Sequence, residues 1–105
     1  MHRILIVEDD HHSQVVISRL FKHENIEVDS AKDAVEAMNY IQSNRYSVVL
    51  IDLSLPEISG WDLFDHIHVE SPDTPCIAMT AYHSPEVANQ CKQYGFDAYF
   101  SKPLN

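Results

Sequence analysis

The chain reads as one α/β domain built on a parallel sheet, and three observations predict this. Short runs of β-branched and aliphatic residues alternate with longer stretches of helical spacing along all 105 residues. The first and third runs, Ile4–Val7 and Val48–Leu53, are nearly continuous Ile, Val and Leu, which suits strands buried on both faces. Capping residues stand where the intervening helices would have to begin. Such alternation calls for right-handed crossovers, with helices on both faces of the sheet. The length allows a single core, so residues 1–105 are read as one domain.

The first strand, Ile4–Val7, runs directly into Glu8, Asp9 and Asp10. In the helix that follows, Val16, Leu20 and Phe21 share a face at helical spacing. Val28–Ala31 is the second strand. Asp33 and Glu36 then form a capping-box pair, ahead of a helix whose apolar face carries Ala34, Met38 and Ile41. The third strand, Val48–Leu53, holds Asp52 near its end. Ser59 and Asp62 resemble a second capping pair, before a helix that turns Gly60, Phe64 and Ile67 to one side. Cys76–Thr80 is the fourth strand. Ser84 followed by Pro85 fits an N-cap and first helical residue, and Val87, Cys91 and Tyr94 mark that helix's inner face. Gly95 stands where a helix end needs a left-handed residue, and Ala98–Phe100 is the fifth strand. Four helices are thus expected, with no fifth helix after the last strand.

Composition narrows the function. Sixteen acidic against seven basic residues give a net charge of −9. Such a surface repels phosphate backbones and anionic lipid, which argues against nucleic-acid and membrane partners. The aliphatic runs are far too short to span a bilayer, and the first twenty residues carry no signal-peptide pattern, so a cytoplasmic protein is expected. With only Gly60 and Gly95, neither a Walker loop nor a dinucleotide-binding glycine fingerprint is possible. Cys76 and Cys91 lack CxxC spacing and read as reduced packing residues. Among seven histidines, His66 and His68 are two apart on a helix and point to different faces. His11 and His12 follow the acidic run closely enough for one to approach it, or they are solvated residues at a helix start. Trp61 reads as core or flank packing near Asp52.

In an open parallel sheet, reactive groups gather beyond the carboxyl ends of the strands. Here those ends deliver Glu8, Asp9 and Asp10, then Asp52, then Thr80, then Lys102 and Pro103. Singly, each has a plain reading: an Asp as helix cap, which suits Asp10, a Thr as a strand residue, a Lys reaching to solvent. Together, at four strand ends, they describe a site. Clustered carboxylates repel unless a cation lies among them, and an all-oxygen donor set suits Mg²⁺ or Mn²⁺ rather than zinc. Asp52 is then placed as a nucleophile toward phosphorus, with Lys102 and Thr80 as stabilisers of phosphoryl oxygens.

Four segments carry a family resemblance: ILIVEDD at 4–10, LIDLSLPEISG at 50–60, MTA at 79–81 and YFSKP at 99–103. The sequence resembles the receiver domain of two-component response regulators, over nearly the whole chain. The resemblance implies a flavodoxin-like, doubly wound sheet of order 2-1-3-4-5. It implies Asp52 as phosphoacceptor for a phosphohistidine of a sensor histidine kinase or histidine phosphotransfer protein. It implies that Glu8, Asp9, Asp52 and the Ser54 backbone carbonyl hold the Mg²⁺, Asp9 directly and Glu8 through water. Thr80 would be the switch hydroxyl, Tyr99 the aromatic that turns with it, and Lys102 the partner of the phosphoryl oxygens. Pro103 is a candidate cis-peptide site. Ser54 and Tyr82 take positions that govern the lifetime of the phosphoryl group, and bulky Tyr82 is expected to slow its hydrolysis. The protein would then be a phosphoacceptor that catalyses its own phosphorylation and dephosphorylation, not an enzyme acting on a diffusible metabolite.

There are departures from the family pattern. Leu55 replaces a common Met, Phe96 stands where a small residue is usual, and the fifth helix is missing. The last feature predicts an apolar sheet face open to a downstream protein or to self-association, and with Met1 just before the first strand the chain reads as a naturally short or dimeric form. Three rivals remain in view: an aspartyl-phosphate phosphatase, which Ser54 disfavours because it replaces the usual acid; a receiver-like binding module; and a flavodoxin-type electron carrier, which lacks its phosphate loop here.

Overall fold

The apolar runs become five short strands, and the stretches between them four helices. In this computed structural model, which describes residues 2–102, the strands are β1 (Arg3–Val7), β2 (Glu27–Ala31), β3 (Val48–Asp52), β4 (Cys76–Thr80) and β5 (Ala98–Ser101). The helices are α1 (His11–Lys22), α2 (Ala34–Ser43), α3 (Gly60–Glu70) and α4 (Pro85–Tyr94). All strand pairs are parallel and the order is β2-β1-β3-β4-β5. This is the expected doubly wound arrangement. Strand ends shift by a residue or so, and Leu53 lies just past β3 although its N–H still reaches the Met79 carbonyl at 2.9 Å.

Pleating divides each central strand between two cores. Leu5, Val7, Val49, Ile51 and Ala78 pack under α2, α3 and α4 with Ala37, Leu63, Ile67 and Cys91. Ile4, Ile6, Leu50 and Met79 face the other way and pack with Ile17 of α1. Two expected inner residues sit at helix edges instead. Leu20 is 45% exposed, because Ile17 holds the centre of the α1 stripe, and Tyr94 is 42% exposed. Phe96 turns inward, with its ring centroid 4.5 Å from Phe64 and 5.7 Å from Trp61, so the bulky residue fills space between α3 and α4.

The caps form as expected. Asp10, Asp33, Ser59 and Ser84 each accept a hydrogen bond from a backbone N–H of the first turn of α1, α2, α3 and α4 respectively. Gly95 ends α4 at φ +122°, a conformation other residues rarely adopt. At the amino end of the sheet, Arg3 bridges Glu27 at 2.7 Å and Asn44 at 2.9 Å, while the Tyr46 hydroxyl donates to Asp29 at 2.7 Å. Those charges pin β2 to β1 at the rim opposite the acidic residues.

Candidate functional site

Parallel register places four strand ends side by side. Val7 lies opposite Ile51, Asp52 opposite Met79, and Thr80 opposite Ser101. The ladder continues one residue further, through Glu8 N–H to the Ala31 carbonyl at 2.9 Å and Lys102 N–H to the Thr80 carbonyl at 2.7 Å. Glu8, Asp52, Thr80 and Lys102 are thereby fixed at backbone level on one rim.

Their side chains are largely withdrawn from water. Glu8 is fully buried, Asp52 is 4% and Thr80 3% exposed, and Asp9 lies on the outside of the group. One carboxylate oxygen from each of Glu8, Asp9 and Asp52 falls within 4.8 Å of the other two. The Lys102 ammonium answers this charge by donating to Glu8 Oε1 and, at 3.0 Å, to Asp52 Oδ2. Burial, followed by the hydrogen bond to Asp52, pushes the Glu8 carboxyl up to about 7, against the pull of Lys102. For Lys102, burial works downward, but its bonds to Glu8 and Asp52 outweigh it and hold the ammonium above its ordinary pKa.

The remaining donors are local. Ser54 N–H donates to Asp52 Oδ1 at 2.9 Å, and Tyr82 N–H donates to Thr80 Oγ1 at 3.0 Å. The Tyr82 side chain is 76% exposed. Tyr99 is half-buried, and its hydroxyl shares a 2.8 Å hydrogen bond with His83 Nδ1. Asp10 takes the capping role, accepting from Ser13 N–H at 2.8 Å. Pro103 lies outside the described residues.

Two contacts support these strand ends from the helices. A Cβ on Gly60 would lie 2.4 Å from the Asp52 carbonyl oxygen and 2.7 Å from Leu53 Cα, so the start of α3 presses on the strand end that carries Asp52. The Gln14 side chain donates to the Glu8 carbonyl at 2.6 Å, tying α1 to the acidic turn. Histidine takes no part in the acidic cluster among the described residues.

The donor chemistry fits a hard divalent cation. Three carboxylates drawn from two strand ends offer oxygen only, and two of them are already screened from solvent. No helix among the described residues is long and apolar enough to cross a membrane.

Comparison with known proteins agrees with this geometry. The family model described as the response regulator receiver domain matches residues 4–105. Response regulator ArlR of Staphylococcus saprophyticus is 34% identical over 105 residues, covering 100% of this chain and 47% of that protein. Sporulation initiation phosphotransferase F of Bacillus subtilis is 25% identical over 103 residues, covering 98% of this chain and 83% of that one. The chain thus spans about half the length of some curated relatives and most of the length of another. Among solved structures, a CheY-like receiver domain protein from Methanospirillum hungatei superposes with a TM-score of 0.90 at 32% identity, covering 100% of this chain and 84% of that chain. The response regulator TrrA of Thermotoga maritima, solved in complex with Mg²⁺ and BeF, gives 0.88 at 28%, covering 100% and 90%. Sheet order, the acidic rim and sequence kinship converge, and the chain belongs to the receiver domains of two-component response regulators, which are phosphorylated on an aspartate.

Proposed function

We propose that Asp52 is the phosphoacceptor of this receiver, taking a phosphoryl group from the phosphohistidine of a sensor histidine kinase or histidine phosphotransfer protein. The observation that carries this is the buried Asp52 carboxylate beside Glu8 and Asp9, with Lys102 Nζ 3.0 Å from Oδ2. The Asp52 carboxylate attacks phosphorus, an O–P bond forms, and the N–P bond to the donor imidazole breaks, returning the electron pair to that nitrogen. Bound at Glu8, Asp9, Asp52 and the Ser54 carbonyl, Mg²⁺ would supply charge neutralisation for the carboxylates and the incoming phosphoryl oxygens. Lys102 then exchanges part of its carboxylate bonding for the phosphoryl oxygens, and Thr80 offers its hydroxyl.

Phosphorylation adds roughly −1.5 to −2 charges at the rim. Thr80 and Lys102 gain a strong acceptor there, and Tyr99 follows the segment between β4 and α4, changing the surface of α4 and β5 that a downstream protein reads. Ile77 and Phe100, partly open on the α1 side of the sheet, offer apolar area for that protein or for a second copy. In this reading the protein turns over only its own aspartyl phosphate, in a cytoplasmic setting, with its negative charge disfavouring nucleic acid and anionic membrane. Ser54 and Tyr82 tune the lifetime of the phosphoryl group, and Tyr82→Ala is expected to shorten it about twofold, since an exposed ring shields little.

The test is intact-protein mass after incubation with acetyl phosphate and Mg²⁺. A single phosphoryl adduct on the wild type, absent from Asp52→Ala, supports the reading. A folded wild type that gains no adduct, or an Asp52→Ala variant that gains one, overturns it.

A further inference from the structure

One hydrogen bond away from the acidic pocket joins residues on two elements. The Tyr99 hydroxyl and His83 Nδ1 are 2.8 Å apart, with ring centroids 5.5 Å apart and planes inclined by 34°. Tyr99 is on β5, whereas His83 lies in the short connection between β4 and α4. That connection is held at both ends. Thr80 closes β4, with its Oγ1 accepting from Tyr82 N–H at 3.0 Å, and Ser84 caps α4 by accepting from Val87 N–H at 3.1 Å. Only three residues, 81–83, separate these anchors, so a displacement of Thr80 has a short path to His83.

We propose that His83 is a positioning residue that couples the state of Asp52 to the orientation of Tyr99; this rests on Asp52 being the phosphoacceptor. In the structure, Thr80 Oγ1 is engaged by Tyr82 N–H and the Tyr99 hydroxyl by His83. Turning the Thr80 hydroxyl toward a phosphoryl group withdraws the acceptor from Tyr82 N–H. The 81–83 segment then shifts and the His83–Tyr99 bond is broken or carried with it. The bond therefore favours the unphosphorylated orientation of Tyr99, and its loss shifts the population toward the other. Either protonation state of the ring serves, since neutral Nδ1 accepts from the hydroxyl and protonated Nδ1 donates to it. His83 is exposed, so replacing it leaves the core intact.

The experiment uses protein labelled with 3-fluorotyrosine, the Tyr99 fluorine resonance being assigned with Tyr99→Phe. Beryllofluoride with Mg²⁺ serves as the phosphoryl probe. In the wild type the Tyr99 resonance should move when the probe binds. In His83→Ala it should already be displaced toward the bound position, and the probe should bind about two- to fivefold more tightly, the scale of one exposed hydrogen bond. His83→Gln, which keeps a polar group at similar reach, should restore the wild-type resonance and affinity. A His83→Ala protein with unchanged resonance and affinity overturns the coupling, and so does a His83→Gln protein that behaves like His83→Ala. Acetyl phosphate labelling is followed by mass in parallel. An adduct on Asp52 with an unmoved Tyr99 removes the coupling alone; no adduct removes the phosphoacceptor reading and the coupling together.

Discussion

The two faces of the sheet are built to different standards. On one, eighteen buried residues among those described form the core that the sheet shares with α2, α3 and α4, running from Leu5 and Val7 through Leu63 and Ile67 to Phe96. On the other, four buried residues among those described gather around Ile17 of α1, while Ile77 is partly open and Phe100 is 44% exposed. The strand bearing Asp52 is central, and its end is pressed by Gly60 of α3 on the well-covered side. The strand bearing Tyr99 is an edge strand, with most of its residues exposed. Rigid placement of the Asp52 carboxylate and freedom of the Tyr99 ring are thus assigned to different parts of one sheet.

Truncation on each face measures this contrast most directly. Ile67 is fully buried on the covered face, so Ile67→Ala should cost about 4 kcal/mol in urea denaturation. Ile77→Ala, on the open face, should cost about 1 kcal/mol. Equal losses would erase the distinction. Next in size is Gly60→Ala, expected to cost about 3 kcal/mol because the new methyl meets backbone rather than a side chain that could turn away. That variant should also lose phosphoryl labelling more steeply than Ile67→Ala, once both are compared below their melting temperatures. A smaller effect of opposite sign is expected in the loop between β3 and α3. Glu57 holds φ +63°, so Glu57→Gly should relieve strain and raise stability by about 0.5 kcal/mol in the same denaturation assay.

The subtlest difference is chemical. Burial pushes the Cys76 thiol up to about 12 and raises that of Cys91 as well, both on the covered face. A thiol-specific reagent at pH 8 should label neither until the protein unfolds. The linkage sign follows from the raised values. An unfolded Cys76 ionises near its ordinary value of 9 while the folded one keeps its proton, so the stability it contributes is intact below pH 9 and lost as the pH climbs toward 12. Denaturation midpoints measured between pH 8 and 10 should therefore fall with rising pH.

Much of this architecture was legible in the residues. Apolar runs of β-branched residues ending in charge marked both the strands and the rim, because a parallel sheet aligns its carboxyl ends by construction of the crossovers. Caps at Asp33, Ser59 and Ser84 could be read one helix at a time, since each bond spans only three residues. What escaped depends on neighbours distant in the chain. Periodicity put Leu20 and Tyr94 with their inward companions, yet whether an edge position is covered depends on what packs beside it. Tyr94 instead donates to Asp65 at 2.6 Å, twenty-nine residues away. Gly60 does begin α3, but its clearance against the Asp52 carbonyl and the His83–Tyr99 bond had no local signature.

Lys102 has a mechanical consequence as well as an electrostatic one. It follows the edge strand β5, but its ammonium reaches Glu8 beyond β1 and Asp52 on β3, spanning β4 to fasten strands that are not neighbours. Each time the ammonium loosens its hold on those carboxylates, the lightly packed edge is freer to open, and backbone amides of β5 exchange with solvent through just such local openings. Hydrogen exchange along Ala98–Ser101 should therefore keep time with the Lys102 contacts to Glu8 and Asp52, making an outermost strand a clock for the ion pairs at the centre of the sheet.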